Sequence, residues 1–287
     1  MAIAEFAFLC GAQSFLEREM GRKPDRPDFR FRPTGTFYKG QGERCAHALR
    51  QHLGYADKEV VRDIYDAMRR MGFKVFRRRL ANSGISGLYL SHPEAGPCVL
   101  VNLAEGQSRQ RFSAGHEWGH GLLDGKPTTL SKVAEWSSSD MVELRANTFA
   151  SCFLMLPELL RSRGVEQWTD PREVASWAAR LRVTVPALLS ALVNAKVLTG
   201  EQRNSIRPLV PRVPDAVDPE LEGLSPAETA RKSELLARGL SKAYVDIALD
   251  AYVYEKISRG LLGDMLLAPT GELAEIAGLF GRTLSHG

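Results

Sequence analysis

Apolar residues recur with helical spacing along much of the chain and with strand-like alternation in one part of it. The predicted helices of the first half are 41–53, 57–71, 108–123 and 140–156, and the predicted strands are 74–80, 85–90 and 98–103. Gly72 ends the second helix, since glycine commonly follows the last helical residue. Pro157 closes the fourth, because proline cannot continue a helix. Turn residues separate the strands, so a small antiparallel sheet is the simplest arrangement. The pattern predicts an α+β fold.

The rest of the chain divides by composition. Residues 22–40 are rich in Pro, Arg, Gly and Phe and are predicted to be extended, and 225–284 supply about four helices after a proline-rich stretch. The predicted division is 1–40 as an N-terminal extension, 41–165 as the domain with the candidate site, 166–206 as a helix-turn-helix-like segment, 207–222 as a linker and 223–287 as a helical C-terminal region.

The charge and the cysteines narrow the class of protein. The net charge of +4 is too small to indicate a nucleic-acid binder, and the basic run at 74–79 is interpreted as a solvated strand or helix face. The four cysteines are widely spaced and form no CxxC pair, which is typical of free thiols in a reducing compartment. The first twenty residues lack a basic n-region, and no run of eighteen apolar residues exists. The default expectation is a cytoplasmic protein.

One short motif carries metal-binding chemistry. Residues 116–120 read His-Glu-Trp-Gly-His inside a predicted helix. Side chains four apart on a helix share a face, so His116 and His120 can hold one metal ion. Glu117 lies about 100° further round the helix, where it can reach a water without ligating the metal. With six histidines in the chain, a chance pairing of two surface histidines is improbable, so the motif indicates a zinc hydrolase.

A catalytic zinc needs a third protein ligand. The downstream carboxylates that could supply it are Asp124, Glu135, Asp140 and Glu143. Glu143 is the best placed, because it lies on the helix stripe that would pack against the motif helix. Asp140 and Glu143 also have the spacing of a capping box, so Glu143 could instead cap its own helix. The spacing alone leaves the two roles open.

The residues around the motif resemble the ImmA/IrrE metallopeptidase family. Members of that family have a strand that ends in Ile-Asn or Val-Asn, then R-F-x-x-A-H-E-x-G-H, then E-x-x-A-N-x-F-A followed by L-L-M-P. This chain has Val101-Asn102 at the strand end, Arg111-Phe112 before the motif, and E-L-R-A-N-T-F-A from Glu143, followed by L-M-L-P at 154–157. The likeness extends over about 41–200.

The resemblance implies a fold and a set of roles. The fold is a minimal zincin-like domain of the gluzincin type, with a small antiparallel sheet and the motif helix, followed by a mostly helical region. His116, His120 and Glu143 are the implied zinc ligands, and Glu117 is the implied catalytic base. Asn147, one turn after Glu143, is a candidate to hold a ligating side chain in orientation, with a helix-to-sheet hydrogen bond as its alternative role.

The function implied by the resemblance is that of a zinc-dependent endopeptidase. Its substrate would be a helix-turn-helix repressor of the XRE type, whose cleavage switches on mobile-element or stress-response genes. Two alternatives are a non-proteolytic regulatory or antitoxin-type protein on the same scaffold, and a DNA-binding regulator that uses 171–198. The second helix of that segment has only Ser190 and Asn194 as polar residues. Because it lacks Arg and Lys, packing is favoured over DNA recognition. No membrane partner is expected, since the chain has no run of eighteen apolar residues.

Overall fold

The computed structural model describes residues 2–22, 29–80, 84–124 and 138–284. The first half contains α1 (Ala2–Glu19), α2 (Tyr38–His52), α3 (Ile64–Arg70), β1 (Lys74–Arg78), β2 (Gly87–His92), β3 (Gly96–Asn102), α4 (Gln107–Leu123) and α5 (Ser138–Leu154). The second half contains α6 (Pro157–Arg161), α7 (Val165–Thr169), α8 (Pro171–Leu181), α9 (Val185–Asn194), α10 (Gly200–Ile206), α11 (Pro226–Ala237), α12 (Lys242–Val253), α13 (Arg259–Met265) and α14 (Leu273–Leu279). The predicted α+β class and the helical C-terminal region are confirmed.

The sheet is mixed, so the prediction of an antiparallel sheet is wrong for one of its two pairings. The strand order is β1-β3-β2, with β2 antiparallel and β1 parallel to β3. Residues Cys98 to Val101 of β3 are almost fully buried, which suits a central strand covered on both faces. Each strand runs opposite to the one before it in sequence, so β1 and β3 run in the same direction. Because β3 lies in the centre of the sheet, next to β1, these two strands pair in parallel.

The two faces of the sheet contribute to two separate hydrophobic cores. Val99 and Val101 of β3 pack into the core formed with α2, α3, α4, α5, α8 and α9. Cys98 and Leu100, which point the other way, join the core formed with α1 and the C-terminal helices. The alternation of side chains along one strand therefore attaches the helices of both halves of the chain to one sheet. None of the described helices is long and apolar enough to cross a membrane.

The first helix, α1, was not predicted from the sequence. Its residues Phe6, Leu9 and Leu16 are fully buried against the sheet and α12. Ile3 and Phe8 of the same helix are about half exposed. The apolar residues thus occupy several sides of the helix, so they give no single stripe with helical spacing.

The helix predicted at 57–71 is shorter than expected. Only Ile64–Arg70 is helical, and the Asp63 carboxylate caps it by accepting hydrogen bonds from the backbone N–H groups of Tyr65 and Asp66. Such a cap fixes the first turn and leaves the preceding residues outside the helix. Val60 is nevertheless packed against the core, so the apolar spacing that suggested a longer helix reflects packing of an irregular segment.

The basic run at 74–79 is not a solvated face, and that interpretation is wrong. Lys74, Arg77 and Arg78 are each less than a tenth exposed. Arg77 donates two hydrogen bonds to the Asp218 carboxylate, at 2.6 and 3.2 Å, and Arg78 pairs with Glu5. Because both faces of β1 are covered by helices, its cations are buried and need acidic partners from other segments.

Residues 207–222, here called the strap, lie against the domain that precedes them. The Asp215 carboxylate accepts hydrogen bonds from the backbone N–H groups of Gln107 and Ser108, at 2.6 and 3.2 Å, and so caps the start of α4. Asp218 is held by Arg77. A negative charge at a helix N-terminus is favourable, so the strap is fixed at two points close to each other in sequence.

Candidate metal centre

The motif helix α4 lies close to α5 because two glycines face that helix. A Cβ at Gly115 would stand 3.3 Å from the Cα of Ala150, and a Cβ at Gly119 would stand 3.2 Å from the Cα of Ala146. Side chains at these positions would push the helices apart. The close approach places the second turn of α5, which carries Glu143, beside the histidines of α4.

Three donor groups converge between these helices. The Nε2 atoms of His116 and His120 are 3.0 Å apart. One oxygen of Glu143 lies 3.1 Å from Nε2 of His116, and the other lies 3.3 Å from Nε2 of His120. Both oxygens of Glu143 therefore face the histidines.

These distances fit a metal ion held by three donors. Ligand atoms about 2.0–2.1 Å from a tetrahedral zinc ion stand roughly 3.3 Å from one another. The three donor pairs, at 3.0 to 3.3 Å, are close to that spacing. Among the residues that the structure describes, His116, His120 and Glu143 form a group able to hold a metal ion. Glu135, another candidate from the sequence, lies outside the described residues.

Each histidine is oriented through its second ring nitrogen. Nδ1 of His116 lies 3.0 Å from Oδ1 of Asn147, and Nδ1 of His120 lies 2.5 Å from Oδ2 of Asp124. With Nδ1–H donating to these oxygens, each Nε2 keeps its lone pair for a metal ion. Asn147 therefore contacts a histidine, as the sequence suggested. Asp124, considered there as a ligand, instead orients His120.

Asp124 is itself held by residues that the sequence analysis did not identify. Arg145 of α5 pairs with Oδ1 of Asp124 and donates a 2.8 Å hydrogen bond to the side-chain oxygen of Gln41 in α2. The side chains of Asp124, Arg145 and Gln41 are each less than a tenth exposed. The signal for Asp124 was its position four residues after His120, on the same face of the helix. Nothing in the sequence indicates the contact of Gln41 with Arg145.

Hydrogen bonds shift the pKa values of His120 and Glu143 in opposite directions. Burial by itself lowers the pKa of His120, but hydrogen bonds with the Asp124 and Glu143 carboxylates outweigh it and raise the pKa to about 9. Burial by itself raises the pKa of Glu143, but hydrogen bonds with His116 and His120 lower it to about 2. Both shifts show that the surroundings of these donors favour a positive charge beside the Glu143 carboxylate, which is the charge that a metal ion would supply.

Glu117 projects from α4 toward the sheet and is 1% exposed. A Cβ at Gly87, the first residue of β2, would stand 2.8 Å from Cγ and 3.1 Å from Oε1 of Glu117. The absence of a side chain at position 87 therefore gives the Glu117 carboxylate its place beside the strand. Glu117 shares a helix with both histidines but is not one of the three converging donors.

We expect Asp124→Asn to weaken metal binding by about 10- to 100-fold, the usual cost of removing such a partner of a ligating histidine. Asparagine keeps the shape but not the charge that fixes the His120 ring. Competition with a chromogenic chelator measures the affinity. The control is Asp66→Asn, because Asp66 is an exposed residue of α3. Equal affinities in Asp124→Asn and the unmodified protein would contradict the orienting role.

A comparison with protein families identifies the domain that carries this site. Residues 68–192 match the family model described as Peptidase_M78, the IrrE N-terminal-like domain. The match contains α4 and α5 with the three converging donors, and it leaves out α1, α2 and the C-terminal helices. No curated protein matches the chain. Residues 68–192 are thus similar to the IrrE N-terminal-like domain of the M78 peptidases, in agreement with the ImmA/IrrE family that the motifs of this chain resemble.

Proposed function

We propose that this protein is a zinc-dependent endopeptidase. The observation that carries the proposal is the convergence of two imidazoles and one carboxylate between α4 and α5, with Glu117 on the same helix as the histidines. Two histidines and a glutamate that leave one position open are the ligand set of catalytic zinc in several peptidases. The match to a peptidase family supports the same reaction class.

The proposed mechanism assigns one role to each group of residues. His116, His120 and Glu143 would hold the zinc ion, which when bound would supply a Lewis acid for the scissile carbonyl. Glu117 accepts a proton from the attacking water and later delivers it to the nitrogen of the leaving amine. Asn147 and Asp124 keep the two imidazoles in the tautomer that presents Nε2.

The proposed substrate is a helix-turn-helix repressor of the XRE type. The support is the likeness to the ImmA/IrrE family, together with the family match over 68–192. Cleavage of such a repressor would derepress the genes that it controls, in a mobile element or in a stress response. The fold and the site support the reaction class, whereas the choice of substrate depends on the likeness to the family alone.

A role in direct DNA binding has less support than proteolysis. Leu188, Leu189 and Leu192 of α9 are fully buried in the core of the domain, and α9 is the would-be recognition helix. Its exposed polar residues are Ser190 and Asn194, and Asn194 accepts a hydrogen bond from Lys39. A helix with this exposed surface offers no cation for phosphate or guanine.

The test of the proposed function is cleavage of a repressor encoded beside the gene for this protein. We expect the purified protein to cleave it, a chelator to stop cleavage, and stoichiometric zinc to restore it. The products are identified by mass spectrometry. Cleavage that persists after removal of all metal would refute the zinc mechanism. Tight binding of the repressor without cleavage, in the presence of zinc, would instead support a non-proteolytic regulator.

A further inference from the structure

A small cavity lies apart from the metal centre, between the domain and the strap. Its volume is about 70 Å³, which is room for roughly five water molecules. It is lined by α3 and the residue before its cap, the first turns of α4, the end of α8, and residues 216–220 of the strap. The residues that matter here are Arg62, Tyr65, Arg69, Arg77, Arg111 and Arg182.

Two of these arginines are already neutralised. Arg77 pairs with Asp218 and Glu220, and Arg69 lies 3.6 Å from Asp63. These pairs also account for the three acidic residues that line the cavity. The three carboxylates at the cavity are therefore already in ion pairs with Arg69 and Arg77.

The other three arginines have no carboxylate partner within the described ranges. Arg62, Arg111 and Arg182 form no ion pair there. Arg111 is 4% exposed, and burial lowers its pKa, with the nearby charge of Arg182 acting in the same direction. Arg62 is exposed, Arg182 is partly buried and Arg111 is buried, so the cost of an unbalanced buried charge falls on Arg111. An anion in the cavity would offset it.

Two buried polar groups at the cavity also lack hydrogen-bond partners. Arg111 uses Nη1 and Nη2 to donate to the carbonyls of Arg62 and Val61, at 2.7 and 2.6 Å. Its Nε–H, and the hydroxyl of Tyr65, have no partner in the described part of the chain. Buried polar groups are rarely left in this state. Both groups are hydrogen-bond donors on residues that line the cavity, and arginine supplies the geometry that an oxoanion accepts.

We propose that this cavity binds a phosphate group. Phosphate carries a charge of about −1.5 to −2 at neutral pH and presents three or more acceptor oxygens. Its five heavy atoms suit the available volume, and its charge matches the guanidinium groups of Arg62, Arg111 and Arg182. A carboxylate would offset only one of those three charges.

A bound phosphate would join segments that are distant in sequence. Arg62 precedes α3, Arg111 lies in α4, Arg182 ends α8, and the strap covers the same cavity. Arg111 is five residues before His116, so its Cα is about 7.5 Å from that of His116 along the helix axis. The phosphate site is thus separate from the metal centre but attached to the same helix.

The test is calorimetric titration of the zinc-loaded protein with inorganic phosphate at constant ionic strength. Tyr65→Phe removes one hydroxyl and keeps the ring that Arg77 contacts. Arg182→Gln removes one of the unpaired charges. We expect each change to weaken phosphate binding by roughly tenfold or more, the usual effect of a lost hydrogen bond or contact with a charged group. Arg180→Gln is the matched control, because Arg180 is an exposed residue of the same helix.

A parallel titration with adenosine monophosphate distinguishes the source of the phosphate group. Binding of the nucleotide with the same losses in Tyr65→Phe and Arg182→Gln would indicate a phosphomonoester, and binding of inorganic phosphate alone would indicate the free ion. Phosphate affinity that stays unchanged in either cavity variant would overturn the proposal, since the ion would then bind elsewhere. Absence of phosphate binding to the unmodified protein at millimolar concentrations would overturn it as well.

Discussion

Replacement of Glu117 by glutamine is expected to remove peptidase activity while one zinc ion stays bound per chain. The substitution keeps the size of the side chain and its place beside Gly87, but an amide cannot accept a proton from water at neutral pH. A general base contributes a factor of about 10² to 10⁴ to the rate. We therefore expect kcat/KM to fall by a factor of about 10² to 10⁴ or more. Cleavage assays and metal analysis on the same sample measure both quantities.

The control for this prediction is Glu158→Gln, since Glu158 is an exposed glutamate of α6. It should leave cleavage and zinc content unchanged. Loss of zinc in Glu117→Gln would mean that Glu117 supports the ligands and that the loss of activity has another cause. Full activity of Glu117→Gln would refute its role as the base.

The elements that hold the donors could be predicted from the sequence because their signals are local. The motif helix was predicted at 108–123 and lies at Gln107–Leu123, and the second helix was predicted at 140–156 and lies at Ser138–Leu154. Helical spacing sets which side chains share a face. It could not decide between a capping and a facing role for Glu143, because that depends on where another helix lies.

Features that depend on contacts between distant segments were not predictable. The side chains of Gln41 and Arg145 are 104 residues apart in sequence, yet they form one chain of hydrogen bonds with Asp124. The parallel pairing of β1 with β3 likewise depends on which strand becomes central. Local propensity carries no information on either choice.

The buried cations of β1 show how burial changes the meaning of a sequence pattern. A run of Lys and Arg is usually solvated, because burying an unpaired charge is costly. In this chain the acidic partners come from α1 and the strap, in Glu5 and Asp218. The cost of burying Arg77 and Arg78 is offset only after those segments have docked, so the local composition gave the wrong interpretation.

Replacement of His116 by alanine is expected to abolish both metal binding and activity. Only two of the three converging donors remain, and the imidazole that is lost is the one that contacts Asn147. A ligand that binds only the folded state stabilises it by about 2.7 kcal/mol at a hundred times its Kd. We therefore expect saturating zinc to raise the Tm of the unmodified protein and to leave the Tm of His116→Ala unchanged.

His47→Ala provides the matched control, because His47 lies on α2 and is not one of the converging donors. It should keep the rise in Tm with zinc and the cleavage activity. The two active-site variants then separate two steps of the same argument: Glu117→Gln retains the metal-dependent stabilisation without cleavage, whereas His116→Ala loses both. If His116→Ala still bound one zinc ion per chain with unchanged affinity, the metal would have to lie elsewhere. The convergence of His116, His120 and Glu143 would then be an ion pair of the fold and not a catalytic centre.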